Sequence, residues 1–247
     1  MIIFPAIDLK DGNVVRLTQG AFDKVDTYSN CPADFAKKWE AEGAEYLHVV
    51  DLDGAREGKP VNLDAIKSIV NAVNIPVQLG GGIRSLQSAR QAIDSGVTRT
   101  IFGTAITRDD ELAGEIFSEL ADRSVVGIDA RNGLVSVDGW SSEVGEKADE
   151  FAARMQTLGA KRIIYTDISR DGMLSGINFG SLRNVSQSVS IPVIASGGVG
   201  NLDHVRELKA AIAIESLTNV EGLVVGKALY TGNVDLQQLL EISKESH

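Results

Sequence analysis

Two aspartates at matched places in the chain have the residue type and setting for acid–base chemistry. Asp8 ends the apolar run Ile2–Asp8 and precedes an Asp-Gly turn, and Asp129 ends the run Val125–Asp129 and precedes an Asn-Gly turn. A buried strand that ends in a carboxylate and continues into a hairpin therefore occurs twice, about half a chain apart. Two opposed aspartates can act as a base and an acid. The alternative is that each only braces a turn.

Glycine-rich turns are duplicated in the same way. The triple glycine at 80–82 follows one apolar strand, Ser-Gly-Gly at 196–198 follows its counterpart, and further glycine turns at Gly103 and Gly226 follow the next strands. Glycines let backbone amides approach an anion closely. A single glycine pair is better explained as a tight turn, but the duplication favours phosphate binding. The sequence therefore predicts an elongated substrate with a phosphate at each end.

Other polar residues near these motifs are weaker candidates. Arg16 and Arg84 follow the first hairpin and the triple glycine, where each could bind an anionic substrate or only form an ion pair. Trp140, after the second hairpin, could stack on a flat heterocycle or fill an apolar gap. His48 lies between apolar residues of a strand and is interpreted as a hydrogen-bonded core histidine.

The loop after the sixth predicted strand is crowded with polar side chains, which are Thr166, Asp167, Ser169 and Asp171. Thr166 could orient a catalytic proton, and Asp171, next to a glycine, could reach the substrate. Turn formation explains each of these residues equally well when they are taken singly.

The elements that must position these residues alternate between apolar strands and amphipathic helices. Eight strand–helix units without a linker predict one domain, residues 1–247, folded as a (β/α)8 TIM barrel. The two halves align unit by unit, which predicts two-fold half-barrel pseudosymmetry and places Asp8 opposite Asp129. The predicted helices run from Pro32 to Glu42, from Leu63 to Val73, from the N-cap Ser85 to Ser95, from about Asp109, from Glu146 to Leu158, and from about Phe179 and Leu202.

Composition limits the partners. A net charge of −10 disfavours nucleic acid and anionic membranes, and no apolar run approaches the roughly 18 residues that a membrane helix needs. Met1–Asp8 is expected to be a strand rather than a signal peptide. The single Cys31 fits a reducing cytoplasm, and three scattered histidines offer no metal site. We expect a cytoplasmic monomer that acts on a small molecule.

With these motifs the chain resembles the phosphoribosylformimino-5-aminoimidazole carboxamide ribotide isomerases of histidine biosynthesis over essentially its whole length. The motifs that carry the resemblance lie at 5–9, 14–17, 19–20, 48–55, 80–84, 166–172 and 196–199. The resemblance implies an Amadori rearrangement of a substrate with two phosphoribosyl ends, without metal or cofactor. By this analogy Asp8 is the base that takes the sugar C2 proton, and Asp129 is the acid that helps to open the ribose ring. In some members a carboxylate matching Asp171 is the proposed acid instead.

The resemblance also implies two phosphate sites. They map to Gly81, Gly82, Gly103 and Thr104 on one side and to Gly176, Gly197, Gly198, Gly226 and Lys227 on the other. Thr18 departs from the family pattern, in which an aromatic residue or histidine is frequent. The apolar segment Ala210–Asn219 is interpreted as a surface elaboration.

Three alternatives remain open at this point. They are a dual-specificity isomerase that also acts on phosphoribosylanthranilate, the sister cyclase of imidazole glycerol phosphate synthase, and a phosphate-ligand sensor on a barrel scaffold. The cyclase usually has a cysteine near the position of Ala6 and lacks the Asp-Leu-Asp-Gly-Ala run at 51–55, so the isomerase is favoured over it. The paired aspartates weigh against a sensor, and nothing in the sequence excludes dual specificity.

Overall fold

Parallel strands close into an eight-stranded barrel in this computed structural model, which describes residues 1–18, 21–140, 142–214 and 217–245. The strands are, in chain order, β1 (Ile2–Lys10), β2 (Asn13–Thr18), β3 (Ala21–Ser29), β4 (Leu47–Asp51), β5 (Val77–Gly80), β6 (Arg99–Phe102), β7 (Ser124–Arg131), β8 (Leu134–Val137), β9 (Ser142–Lys147), β10 (Ile163–Asp167), β11 (Val193–Ser196) and β12 (Val220–Val225). Strand β12 pairs with β1, where Val224 lies beside Phe4, and this pairing closes the barrel. The predicted TIM barrel is confirmed.

Two antiparallel extensions show the pseudosymmetry of the barrel. Strands β2 and β3 extend β1, and β8 and β9 extend β7, so the first and fifth barrel strands each begin a three-stranded sheet. The pairing is also equivalent, because Asp8 lies opposite Val15 and Asp129 lies opposite Ser136. Both predicted aspartates therefore lie where a barrel strand continues into its hairpin.

Helices surround the barrel. They are α1 (Pro32–Ala41), α2 (Leu52–Glu57), α3 (Leu63–Ala72), α4 (Leu86–Asp94), α5 (Asp110–Leu120), α6 (Ala148–Thr157), α7 (Phe179–Ser188), α8 (Leu202–Ile214), α9 (Lys227–Tyr230) and α10 (Leu236–Lys244), with 3₁₀ turns at Thr104–Ile106 and Ala121–Arg123. Local chemistry sets several helix starts. Pro32 occupies the first turn of α1, and the Ser85 hydroxyl accepts a hydrogen bond from the Ser88 amide in a capping box.

The core has two layers. Alternate residues of the barrel strands fill its interior together with Tyr46, which directly precedes β4. The strand residues are Phe4, Ala6, Val125, Ile164, Ile194 and Val224. The intervening strand residues, such as Ile3 and Leu47, pack outward against helix residues such as Ile66. Because the interior is filled with side chains, a ligand must bind at the carboxyl ends of the strands.

The predicted helix starts at Pro32, Leu63, Phe179 and Leu202 are confirmed. Strands β3 and β9 and helices α2, α9 and α10 lay outside the sequence prediction. Within the described residues no helix is both long and apolar enough to span a bilayer.

The interpretation of Ala210–Asn219 as a surface elaboration is wrong for the end of this segment. Residues up to Ile214, which is 81% exposed, end α8, and residues 215 and 216 lie outside the described residues. Leu217 is fully buried, and the Asn219 side chain donates hydrogen bonds to three carbonyl oxygens, those of Ser186, Val189 and Ile191. The apolar segment after α8 therefore contributes Leu217 to the core and does not lie wholly on the surface. Gln19, Gly20 and the side chain of Thr18 also lie outside the description.

Candidate active site

A cavity of about 290 Å³ opens at the carboxyl ends of the barrel strands, near the lower end of the ligand-pocket range of roughly 300–1,000 Å³. Apart from Gly176, the predicted site residues line it, and they are Asp8, Arg16, Gly81, Gly82, Arg84, Gly103, Thr104, Asp129, Trp140, Thr166, Asp171, Gly197, Gly198, Gly226 and Lys227. Residues from both halves of the sequence thus meet at one place.

Asp8 forms an ion pair with Arg16. Arg16 is on β2, and its Nη1 atom donates to Oδ2 of Asp8 at 2.7 Å, with both side chains largely buried. Burial raises the pKa of Asp8, and the charge and hydrogen bond of Arg16 oppose that rise. The guanidinium therefore stabilises an ionised carboxylate in a site that otherwise favours the neutral acid.

Asp129 is held by neutral donors instead. The indole Nε1 of Trp140 donates to its Oδ2 at 2.8 Å, and Thr166, its neighbour on β10, also forms a hydrogen bond with it. Burial raises the pKa of Asp129, and these two hydrogen bonds oppose the rise. Trp140 has a φ of +73°, a conformation that costs a bulky residue free energy. Its indole thus acts as a polar donor, a role outside the two predicted ones.

Asp171 is the third carboxyl group at the cavity. Burial raises its pKa to about 6; the charges of Arg16 and Lys227 oppose this rise, and those of Asp8 and Asp129 add to it. Lys227 Nζ donates to the carbonyl oxygen of Gly172 at 3.0 Å and so contacts the loop that carries Asp171. A carboxyl group with this pKa retains part of its proton near neutral pH.

The glycine turns lie on opposite sides of the cavity, at β5–β6 and β11–β12. Gly82 has a φ of +80°, and a Cβ there would lie 2.6 Å from the Lys59 carbonyl group. Gly198 has a φ of +94°, and a Cβ there would overlap the carbonyl oxygen of Gly176. Both positions thus require glycine for close backbone packing, and this packing brings the turns to the edge of the cavity.

Two of the predicted residues have unexpected surroundings. Gly176 lies outside the cavity lining. Its amide N–H donates to the Gly198 carbonyl oxygen at 2.8 Å, so it stabilises the glycine turn at 196–198. Arg84 lies at the rim, where its Nη2 donates to the Ala55 carbonyl oxygen at 3.2 Å.

His48 lines the cavity, although it was interpreted only as a core histidine. Its Nδ1 lies 3.0 Å from Nε2 of Gln78, which confirms the expected hydrogen bond. Burial lowers the pKa of His48 to about 4, with the charge of Arg16 adding to the effect. The imidazole is therefore neutral at physiological pH. The sequence signal for a place at the cavity was its position on β4, the strand that pairs with β1, which carries Asp8.

The aspartates at 51 and 167 support loops rather than face the cavity. Asp51 is fully buried and accepts hydrogen bonds from the Gly54 and Asn62 amides at 2.8 and 3.0 Å. Asp167 accepts from the Asn178 side chain at 2.6 Å. Among the described residues no group of three or more histidine, cysteine or acidic side chains is arranged to hold a metal ion.

Comparison with known proteins places this geometry in a family. Residues 2–235 match the family described as "Histidine biosynthesis protein". A relative from Thermoanaerobacter pseudethanolicus is 48% identical over 244 residues, which cover 99% of this chain and 100% of the relative. A relative from Chloroflexus aurantiacus is 49% identical over 243 residues, which cover 98% of each chain. A third, from Acetivibrio thermocellus, is 48% identical over 244 residues, which cover 99% of this chain and 100% of the relative.

All three relatives carry the same name, 1-(5-phosphoribosyl)-5-((5-phosphoribosylamino)methylideneamino)imidazole-4-carboxamide isomerase. The family match spans the barrel from β1 to Asp235, just before α10, and the relatives match almost from end to end. The chain therefore belongs to the histidine biosynthesis protein family and, within it, to these imidazole-4-carboxamide isomerases.

Proposed function

We propose that this isomerase converts a bisphosphorylated aminoaldose, the phosphoribosylformimino aminoimidazole carboxamide ribotide, into its ribulosyl ketose by an Amadori rearrangement. The names of the relatives describe two phosphoribosyl groups on an imidazole carboxamide. The observation that carries the proposal is the grouping of Asp8, Asp129 and Asp171 between two glycine turns on opposite sides of one cavity. Substrate and product are isomers, so the reaction needs proton transfers and no net redox step.

We assign the acid to Asp171. Ring opening requires a proton on the furanose oxygen as the C1–O bond breaks and the amino nitrogen forms an imine with C1. The pKa of Asp171, raised to about 6 by burial, leaves a proton available for this step near neutral pH. Two bound phosphates would raise it further, because they disfavour another negative charge.

We assign the base to Asp8. The imine acidifies the C2–H bond, and Asp8, whose ionised form Arg16 stabilises at 2.7 Å, takes that proton. The resulting enaminol becomes the ketose when C1 takes up a proton. A positioned base of this kind contributes about 10² to 10⁴ in rate.

Asp129 is assigned a different role from the acid that the family analogy suggested. Two donors, the Trp140 indole and Thr166, hold its carboxyl group in place and oppose the rise in pKa that burial causes. Held in this way, Asp129 can form a hydrogen bond with a substrate hydroxyl and hold the sugar between Asp8 and Asp171.

The phosphates are assigned to the two glycine turns and their neighbouring side chains. One site comprises Gly81, Gly82, Gly103 and Thr104 with Arg84 at the rim, and the other comprises Gly197, Gly198, Gly226 and Lys227. With a net charge of −10 the overall field repels an anionic substrate. Backbone amides and these few local cations must therefore provide the attraction.

We further infer that residues 1–247 act as one domain, a monomer in the cytoplasm without nucleic acid or membrane partners. The support is the single barrel formed by strands from both ends of the chain, the acidic charge and the single cysteine.

The test is an assay of the purified protein with the bisphosphorylated aminoaldose, with phosphoribosylanthranilate assayed beside it. We expect turnover of the first substrate, and turnover of the second as well would establish dual specificity. Binding of the bisphosphate without turnover would indicate a sensor, and formation of imidazole glycerol phosphate from the ketose with ammonia would indicate the cyclase. Either of these last two results would overturn the proposal.

A further inference from the structure

Arg16 is held on three sides. Its Nη1 donates to Asp8 at 2.7 Å, and its Nη2 donates to the Ala6 carbonyl oxygen at 2.8 Å. On the third side its Cζ lies 4.5 Å from the centre of the Tyr230 ring, within the range of a cation–π interaction. Tyr230, the last residue of α9, thus contacts the cation that stabilises the Asp8 carboxylate, although it does not line the cavity.

Tyr230 is itself fixed in place. Its hydroxyl donates to the same Ala6 carbonyl oxygen at 2.8 Å, a bond that joins positions 224 residues apart. Its ring stacks on Phe35, with centroids 5.2 Å apart and planes inclined by 14°, and Tyr28 contacts it edge-on at 4.8 Å. The hydroxyl bond and the stacking on Phe35 therefore make the ring a rigid support for the guanidinium, whereas Tyr28, which is 39% exposed, adds only an edge contact.

The other half of the barrel builds the same turn without an aromatic ring. Gly103 and Gly226, which begin the two turns, have nearly equal backbone angles, with φ of −113° and −110° and ψ of −108° and −102°. Four positions after Gly103 stands Thr107, in the place that Tyr230 has after Gly226, and its hydroxyl donates to the Thr104 carbonyl oxygen. The turn itself therefore does not require an aromatic residue.

The difference extends to the partner of the aromatic ring. Arg16 follows Val15, which is opposite Asp8, and Val137 follows Ser136, which is opposite Asp129. A guanidinium on an aromatic ring thus accompanies Asp8, whereas the corresponding positions beside Asp129 hold valine and threonine. This asymmetry separates the two aspartates that the fold otherwise makes equivalent.

We propose that Tyr230 is a positioning residue that holds Arg16 against Asp8 and so selects Asp8 as the base. The proposal rests on the proposed role of Asp8 in the isomerisation. Because α9 also carries Lys227, the element assigned to the second phosphate is the one that supports the base.

The test uses matched variants. Tyr230→Thr introduces the residue that the other half has at this place, Tyr230→Phe keeps the ring without its hydroxyl, and Tyr28→Leu removes a neighbouring ring that contacts Tyr230 at its edge. We expect Tyr230→Thr to lower kcat about 3- to 30-fold, the worth of a cation–π contact, with KM changed less than about threefold. The decrease in kcat should be smaller in Tyr230→Phe than in Tyr230→Thr, and Tyr28→Leu should retain activity.

A double-mutant cycle tests whether Tyr230 acts through Arg16. In an Arg16→Met background, Tyr230→Thr should reduce kcat by less than about twofold, because the group that it positions is absent. Losses that multiply in the double variant would overturn the proposal, as would equal losses in Tyr230→Thr and Tyr28→Leu.

A titration without substrate keeps this test separate from the proposed function. NMR of the Asp8 carboxyl in the free protein should show a higher pKa in Tyr230→Thr than in the wild type or Tyr28→Leu, because a displaced Arg16 no longer opposes the effect of burial. The other titratable groups around the pair are His48, Asp129, Asp171 and Lys227. An unchanged Asp8 titration would overturn the inference, whereas an isomerase assay without turnover would overturn only the proposed function.

Discussion

The substitution Gly82→Ala tests the first phosphate site, and its effect can be worked out from the geometry. At a φ of +80° the added methyl group costs about 1–2 kcal/mol in any L-residue. It also lies 2.6 Å from the Lys59 carbonyl group, against an ordinary contact of 3.4 Å or more, so the turn must move by about 0.8 Å (3.4 − 2.6). This movement displaces amides assigned to the phosphate. One hydrogen bond to a charged group is worth about 1.5–3 kcal/mol, so KM should rise about 10- to 150-fold.

The control is Gly145→Ala on β9. Gly145 has a φ of +76°, but nothing lies within 4 Å of an added Cβ there, so it has the conformational cost without the displacement. Steady-state kinetics with the bisphosphate and thermal unfolding of both variants separate the two effects. We expect a larger loss of stability in Gly82→Ala, where the backbone contact adds to the conformational cost that both variants share. KM should be unchanged in Gly145→Ala and raised in Gly82→Ala. Equal KM values in the two variants would refute the assignment of this turn to a phosphate.

Three further substitutions address the carboxyl groups. Asp8→Asn should lower kcat at least about 100-fold with KM little changed, because an amide cannot take the C2 proton; a loss of less than about tenfold would contradict its role as base. Asp171→Asn should stabilise the fold at pH 8 but not at pH 4. A folded pKa of about 6 against an ordinary 3.8 means that stability falls as pH rises between these values, by up to about 3 kcal/mol, and unfolding at both pH values measures it. Trp140→Phe removes the indole donor to Asp129 and should reduce kcat about tenfold or more in steady-state assays. Full activity of this variant would show that the 2.8 Å hydrogen bond does not contribute to turnover.

The parts of the site that the sequence predicted are those that repeat. Asp8 and Asp129, and the glycine turns at 80–82 and 196–198, appear twice in the same order, and strand ends in a barrel meet at one face. Their convergence on one cavity follows from the repeat together with the barrel fold. Helix starts with a local cause, such as the Ser85 cap, were likewise predictable from a few residues.

The parts that were not predicted lack a local signal. Strand β9 is mostly exposed and polar, so it has no apolar alternation, and α2 is only six residues long and contains a glycine. Tyr230 reaches the site through a hydrogen bond to Ala6 at the other end of the chain. Trp140 lies at a φ of +73°, which its residue type does not indicate, and the sequence carries no signal that its indole N–H reaches Asp129.

The most direct test of the central claim is the pH dependence of turnover, because the mechanism needs one ionised and one protonated carboxyl group in the same complex. We expect kcat/KM to follow a bell whose acidic limb reports Asp8 and whose basic limb, near pH 6, reports Asp171. In kcat the basic limb should move to higher pH, because the bound phosphates disfavour ionisation of Asp171. Asp171→Asn should remove the basic limb and keep the acidic one, whereas Asp129→Asn should keep both. An unchanged bell in Asp171→Asn, or loss of its acidic limb alone, would contradict the assignment of acid and base.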